Sequence, residues 1–303
     1  MPVQRRRRIP WIPIVAALVL ALAVISASAV TFDVGGVGTR FENLQDRVGL
    51  ILDPPPDRPI DEEILSTPPP IDPTAAPTMS LEPGQTPPPT PAPTPKPPRE
   101  PVDVDILEDP DAAFIHQQDH DWCAVAGTQM VLAMHGQAAV TKGYQEQLAS
   151  RIGEWESRRD SRNGGWGPAA MQAALEANGV PGYEVRAYAS RQDALVDGAR
   201  AIQATGAPVI LLTWRGAHTW IMTGFRADAD PSVFANAAIE GVYILDPWYP
   251  DVSSIWGPSD KPGNLEDMGE MRRNYLPWER PEGDYPSRDG LFLAVVPTQP
   301  VAP

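Results

Sequence analysis

The chain is poor in the residues that most often announce a chemistry. Its 303 residues hold one cysteine, Cys123, and four histidines. A single cysteine excludes an intrachain disulfide and any multi-cysteine zinc or iron–sulfur site. There is no GxxxxGK[ST] and no GxGxxG, so a nucleotide signature is missing. Nothing in the sequence calls for a cofactor. Positive charge is also scarce: 24 Lys and Arg stand against 39 Asp and Glu, a net charge of −15. Acidic surfaces are repelled by phosphate backbones, which argues against a nucleic-acid partner.

Proline, by contrast, is plentiful and localised. Of 37 prolines, 19 fall between Ile51 and Pro101. A stretch that is more than a third proline builds no packed core. It samples extended polyproline II and works as a semi-rigid stalk. Ahead of it, Arg5-Arg6-Arg7-Arg8 precedes an uncharged apolar run of 24 residues, Ile9 to Phe32. Such a run can cross about 30 Å of hydrocarbon. Arginines before it keep the N-terminus in the cytoplasm and send the remainder outward. Ala27-Ser28-Ala29 is also an A-x-A cleavage site. Residues 1–32 are therefore expected to be a signal peptide or a signal-anchor helix, and residues 33–101 a linker. Residues 102–303 are expected to form a domain outside the cytoplasm, anchored if the span is uncleaved and secreted if it is cut. That domain carries 15 basic against 28 acidic residues, and its length suffices for a substantial core.

Within the domain, apolar spacing predicts helices over 122–135, 144–155, 168–178 and 192–205, the last stopped by Gly206. Strands are expected at 183–188, 208–214, 218–225, 241–246 and 291–296. Helices come first and strands cluster late. The expected class is α+β, with N-terminal helices packed on an antiparallel sheet. Residues 163–167 and 253–286 read as loops, and specificity should reside in them.

The chemistry centres on Cys123, in Asp121-Trp122-Cys123-Ala124-Val125-Ala126-Gly127. The predicted helix begins there, and the dipole and unpaired N–H groups of a helix start favour a thiolate. A nucleophilic thiolate needs a base distant in sequence and near in space. His135 lies along the same helix, and His116 and His120 lie just before it. His218 opens a strand in the second half and is the candidate base. Asp246, at the end of the next strand, would orient the imidazole. Gln117, six residues before the cysteine, would set a side-chain N–H beside the Cys123 N–H as an oxyanion hole. Trp122, Trp166 and Trp248 are candidates to line a substrate cleft. His116, His120, Asp119, Asp121 and Cys123 could also ligate a metal, but no helical spacing organises them.

Gln117-x5-Cys123 leading into an apolar helix, Gly206-x-Pro208-Val209-Ile210, His218-Thr-Trp-Ile-Met-Thr-Gly-Phe and Ile244-Leu245-Asp246-Pro247 stand in that order. This set resembles papain-like cysteine peptidase family 39, whose known members trim double-glycine leaders, and more closely its stand-alone extracytoplasmic relatives. The resemblance covers about Ala113 to Pro250. It implies a papain-like fold with Cys123 as nucleophile, His218 as base, Asp246 as orienter and Gln117 as oxyanion donor, acting on a peptide or protein. Ala124 follows the cysteine where the family usually has glycine. The exporter members carry transmembrane and ATPase domains and act in the cytosol. A substrate other than an exporter's leader is therefore expected. Two alternatives remain open: a peptidase-fold module that binds a peptide or cell-wall ligand without catalysis, and an amidase or transglutaminase using the same residues.

Overall fold

The computed structural model describes residues 98–156, 160–161, 166–279 and 285–300. The expected signal or anchor, nearly all of the linker, and Asn163 to Gly165 lie outside them. Among the described residues, no helix is long and apolar enough to cross a membrane.

In chain order the elements are β1 (Val102–Asp105), α1 (Pro110–Ala113), α2 (Cys123–Met134), α3 (Lys142–Ala149), α4 (Ile152–Trp155) and α5 (Pro168–Ala177). They continue with β2 (Tyr183–Tyr188), α6 (Arg191–Thr205), β3 (Val209–Thr213), β4 (His218–Ala227) and β5 (Ile239–Leu245). The last are β6 (Val252–Ser253), β7 (Gly257–Pro258), β8 (Asn264–Asp267), α7 (Met268–Asn274) and β9 (Phe292–Pro297). Helix boundaries follow local chemistry. Ser190 Oγ accepts from the Asp193 N–H at the start of α6, and Gly206 ends it with φ +68°, a conformation cheap only for glycine. The helix expected over 144–155 is two helices. Ser150 turns its hydroxyl back onto the Gln147 carbonyl at 2.8 Å, which favours an end to α3 rather than its continuation.

The main sheet has the order β2-β9-β3-β4-β5-β8, and every pairing is antiparallel. This is the α+β class the sequence predicted. β1, which apolar spacing did not reveal, pairs with the second half of β4. Gly224 makes that possible: a Cβ there would lie 2.2 Å from the Val104 carbonyl oxygen.

Helices cover both faces of the sheet. Ile210 and Leu212 of β3 pack with Val125, Met130 and Leu175 of α2 and α5. Val209 and Leu211 pack with Leu195 and Ile202 of α6 and with Met271 of α7. A strand covered on both faces reads as one continuous apolar run, hence Val-Ile-Leu-Leu. The region 253–286, expected to be loop, contains β8 and α7. Its strand is short and charged, and its helix is held by the Asp267 side chain, which accepts from the Gly269 and Glu270 N–H groups.

Candidate active site

Three sequence-distant side chains meet where α2 begins, β4 begins and β5 ends. Cys123 is the first residue of α2 and is half-buried. Its N–H, in the first helical turn, has no partner within the helix by construction. His218 is the first residue of β4 and only 3% exposed; Asp246 directly follows β5 and is 1% exposed. His218 Nε2 lies 2.7 Å from Asp246 Oδ1. The same oxygen accepts the Trp248 N–H at 2.8 Å. The Cys123 side chain lies close enough to the imidazole to raise its pKa. Because Nε2 is committed to Asp246, Nδ1 is the atom left for sulfur.

Burial of the imidazole disfavours its charge. The Asp246 carboxylate outweighs burial through its charge and hydrogen bond, and the Cys123 contact adds to it. The His218 pKa is pushed up to about 9. The arrangement therefore favours the charged form of the imidazole.

His218 is clamped by aromatic rings. Trp214 stacks on it with centroids 3.9 Å apart and planes 19° from parallel, and Trp248 stands edge-on at 6.4 Å. Trp256 in turn lies parallel to Trp214, with centroids 5.8 Å apart. Trp214 is pinned by its Nε1–H to Asn274 Oδ1 at 3.0 Å, linking α7 to the site. Trp214, Arg215 and Gly216 all have positive φ, at 51°, 63° and 89°. This tight reversal between β3 and β4 turns the indole onto the imidazole. A Cβ on Gly216 would lie 2.4 Å from the Trp278 ring, so glycine is required there.

The loop before Cys123 is built from amides. Gln117 is 3% exposed. Its Nε2 donates to the Asp119 and His120 carbonyls at 2.8 and 2.7 Å, and its backbone N–H donates to Pro247 O at 3.0 Å. Both side-chain N–H groups of Gln117 brace the loop rather than standing free beside the Cys123 N–H. The Gln118 N–H donates to Gln145 Oε1, and Gln145 Nε2 reaches Gln129 Oε1 at 3.2 Å. Gln129 and Gln145 are fully buried, and nothing in their spacing had marked them.

The tryptophans separate. Trp248 is in the site. Trp122 caps the start of α2 and packs against the core beside Cys123. Trp166 is a correction: it is 5% exposed and packs edge-on against Trp155 at 5.3 Å, which makes it a core residue. Of the other histidines, His116 bonds the Tyr249 carbonyl, His120 stands edge-on to Trp248, and His135 meets the Tyr183 hydroxyl far along α2. Among the described residues, no three His, Cys, Asp or Glu side chains converge as a metal site.

No curated protein matches the chain. Among solved structures, a double-glycine-motif protease from an AMS/PCAT transporter, crystallised with its leader peptide, is 20% identical. The match covers 61% of this chain and 91% of that one, with a TM-score of 0.33, at which the likeness carries no argument. The Peptidase_C39-like family matches residues 110–273, more than half of the chain and the whole stretch from α1 through Cys123, His218 and Asp246 to α7. The chain belongs to the Peptidase_C39-like family.

Proposed function

We propose that this protein is an extracytoplasmic cysteine peptidase acting through Cys123, His218 and Asp246. The observation that carries the reading is the buried His218–Asp246 pair at 2.7 Å, with the Cys123 side chain at the start of α2 beside the imidazole. In the proposed reaction the Cys123 thiolate attacks a peptide carbonyl. The Cys123 N–H receives the oxyanion. Gln117 becomes a second donor once one of its two loop carbonyls is released. Imidazolium Nδ1–H protonates the departing amine as the C–N bond breaks, leaving a thioester. His218, now neutral, takes a proton from water; the hydroxide attacks the thioester, and the C–S bond breaks to release the acid and restore the Cys123 thiolate beside the imidazolium. Asp246 stabilises the imidazolium throughout. The polyarginine start and the apolar run at 9–32 support a location outside the cytoplasm, whether anchored or secreted.

The test is incubation of the full chain with a complex peptide mixture, with new N-termini read by mass spectrometry. Wild type should generate them, Cys123→Ala should not, and a peptidyl acyloxymethyl ketone should label Cys123 and stop the reaction. Amine incorporation without new termini would assign a transferase instead. Neither product would assign a binding module.

A further inference from the structure

Exposed large apolar side chains are few in the described residues: Val233, Val252 and Ile255, at 45%, 68% and 68% exposure. Two of the three share one short hairpin, β6–β7, which projects between Asp246 and the start of β8. The hairpin is well rooted. The Asp251 carbonyl accepts from Ser259 Oγ at 2.8 Å, and the Ile255 and Trp256 N–H groups donate to Ser253 Oγ. The Gly263 N–H donates to the Ile244 carbonyl at its base. Core packing would bury a valine and an isoleucine. This hairpin instead holds them out in water on a braced turn, beside the ring stack that covers His218.

We infer that the β6–β7 hairpin is a specificity lip that takes a bulky apolar side chain on the leaving-group side of a peptide substrate. This rests on the peptidase reading above. The side follows from the chemistry. The thiol keeps the acyl half, while the imidazole hands its proton to the departing amine, so the C-terminal half of the substrate leaves past His218. Trp214 covers one face of that ring, and Trp256 of the hairpin stacks on Trp214. Those two contacts put the Trp256 ring within about 10 Å of the imidazole, inside the reach of about three extended residues. The side chain meeting Val252 and Ile255 therefore belongs to the second or third residue after the scissile bond. Leu, Ile, Met or Phe there would cover apolar surface that is otherwise hydrated, an effect of about tenfold on kcat/KM for a partly buried side chain.

The experiment uses the full chain, wild type and V252S/I255S, on the same peptide mixture. Two quenched-fluorescence peptides, bearing Leu or Asn at the third position after the mapped cleavage site, give the kcat/KM ratio. Cys123 alkylation serves as the control for an intact site. The expected result is enrichment of bulky apolar residues at the second or third position of the new N-termini. The Leu-over-Asn preference should fall about tenfold in the variant. New termini without that enrichment, or an unchanged preference in the variant, would overturn the lip and leave the peptidase reading standing. An unchanged preference with loss of binding to phosphatidylcholine vesicles would overturn it in favour of a membrane contact. No new termini from wild type would overturn the peptidase reading and the lip together.

Discussion

Asp246→Asn isolates the charge that governs the site. His218 is 3% exposed, and burial alone would carry its pKa below 6.5. With Asp246 at 2.7 Å the pKa is instead about 9. That net rise is worth roughly 3 kcal/mol in favour of the imidazolium. Asparagine keeps an Oδ1 acceptor for His218 Nε2–H and for the Trp248 N–H, so the geometry survives while the charge is lost. Burial is then opposed by the Cys123 contact alone, and the imidazole becomes neutral at pH 7. The imidazole's proton affinity, and with it the thiolate–imidazolium pair relative to the neutral pair, falls by about two orders of magnitude. The assay is the rate of Cys123 modification by iodoacetamide from pH 5 to 10, followed by intact mass, with a melting curve to establish folding. Wild type should still react at pH 6. Asp246→Asn should react about a hundredfold more slowly there and recover toward alkaline pH, and His218→Ala should behave alike. Coincident profiles for wild type and Asp246→Asn would refute the reasoning, since the carboxylate would then not be felt at sulfur.

Three further outcomes concern stability. Glu266 is 1% exposed beside Asp260 and Asp246, and burial together with those carboxylates pushes its pKa up to about 7. Folded Glu266 stays neutral while the unfolded residue ionises, so stability should fall as pH rises from about 4.5 to about 7. Glu266→Gln should flatten this fall and melt roughly 5 °C higher at pH 8, with no gain at pH 4. Arg288 Nη2 lies 2.7 Å from the buried Asp160 Oδ1, with the buried Glu156 nearby. Arg288→Met strands a buried carboxylate, and the urea midpoint should report a loss of about 3–5 kcal/mol; a loss below about 1 kcal/mol would mean that the pair is not desolvated. Gly216→Ala, at φ +89° and against Trp278, should cost about 2 kcal/mol in the same assay and slow Cys123 alkylation, because it disturbs the turn that seats Trp214 on His218.

The parts of the fold legible in the sequence were those written as periodic burial. The strand over 183–188 and the helix ending at Gly206 need only apolar spacing and a left-handed stop. The meeting of Cys123, His218 and Asp246 was legible because each closes or opens an element, and element ends cluster at one edge of a sheet. What was not legible depends on contacts between distant segments. β1 is a four-residue strand alternating Val and Asp, and it is defined by its partner Gly224. The Trp214 stack depends on two non-glycine residues at positive φ, for which neither residue has a local preference. Gln129 and Gln145 are polar at positions where only the other's amide, and the loop carbonyls, make burial tolerable.

That last group bears on how the cysteine is held. The segment from His116 to Trp122 has no regular structure of its own, yet it carries Cys123 to its place opposite Asp246. It is fixed on one side by Gln145 and Gln129. On the other side the Gln117 N–H and the His116 ring meet the Pro247 and Tyr249 carbonyls. The turn that holds Asp246 and the loop that holds Cys123 are therefore one hydrogen-bonded unit. Within it, Gln117 closes the loop through two carbonyls only two and three residues ahead. A developing oxyanion is a stronger acceptor than either neutral carbonyl. In the proposed reaction, transfer of one N–H from loop to oxyanion would exchange a weaker bond for a stronger one, and the second N–H would keep the loop closed meanwhile. Bracing the loop and receiving charge are thus compatible duties for a single amide.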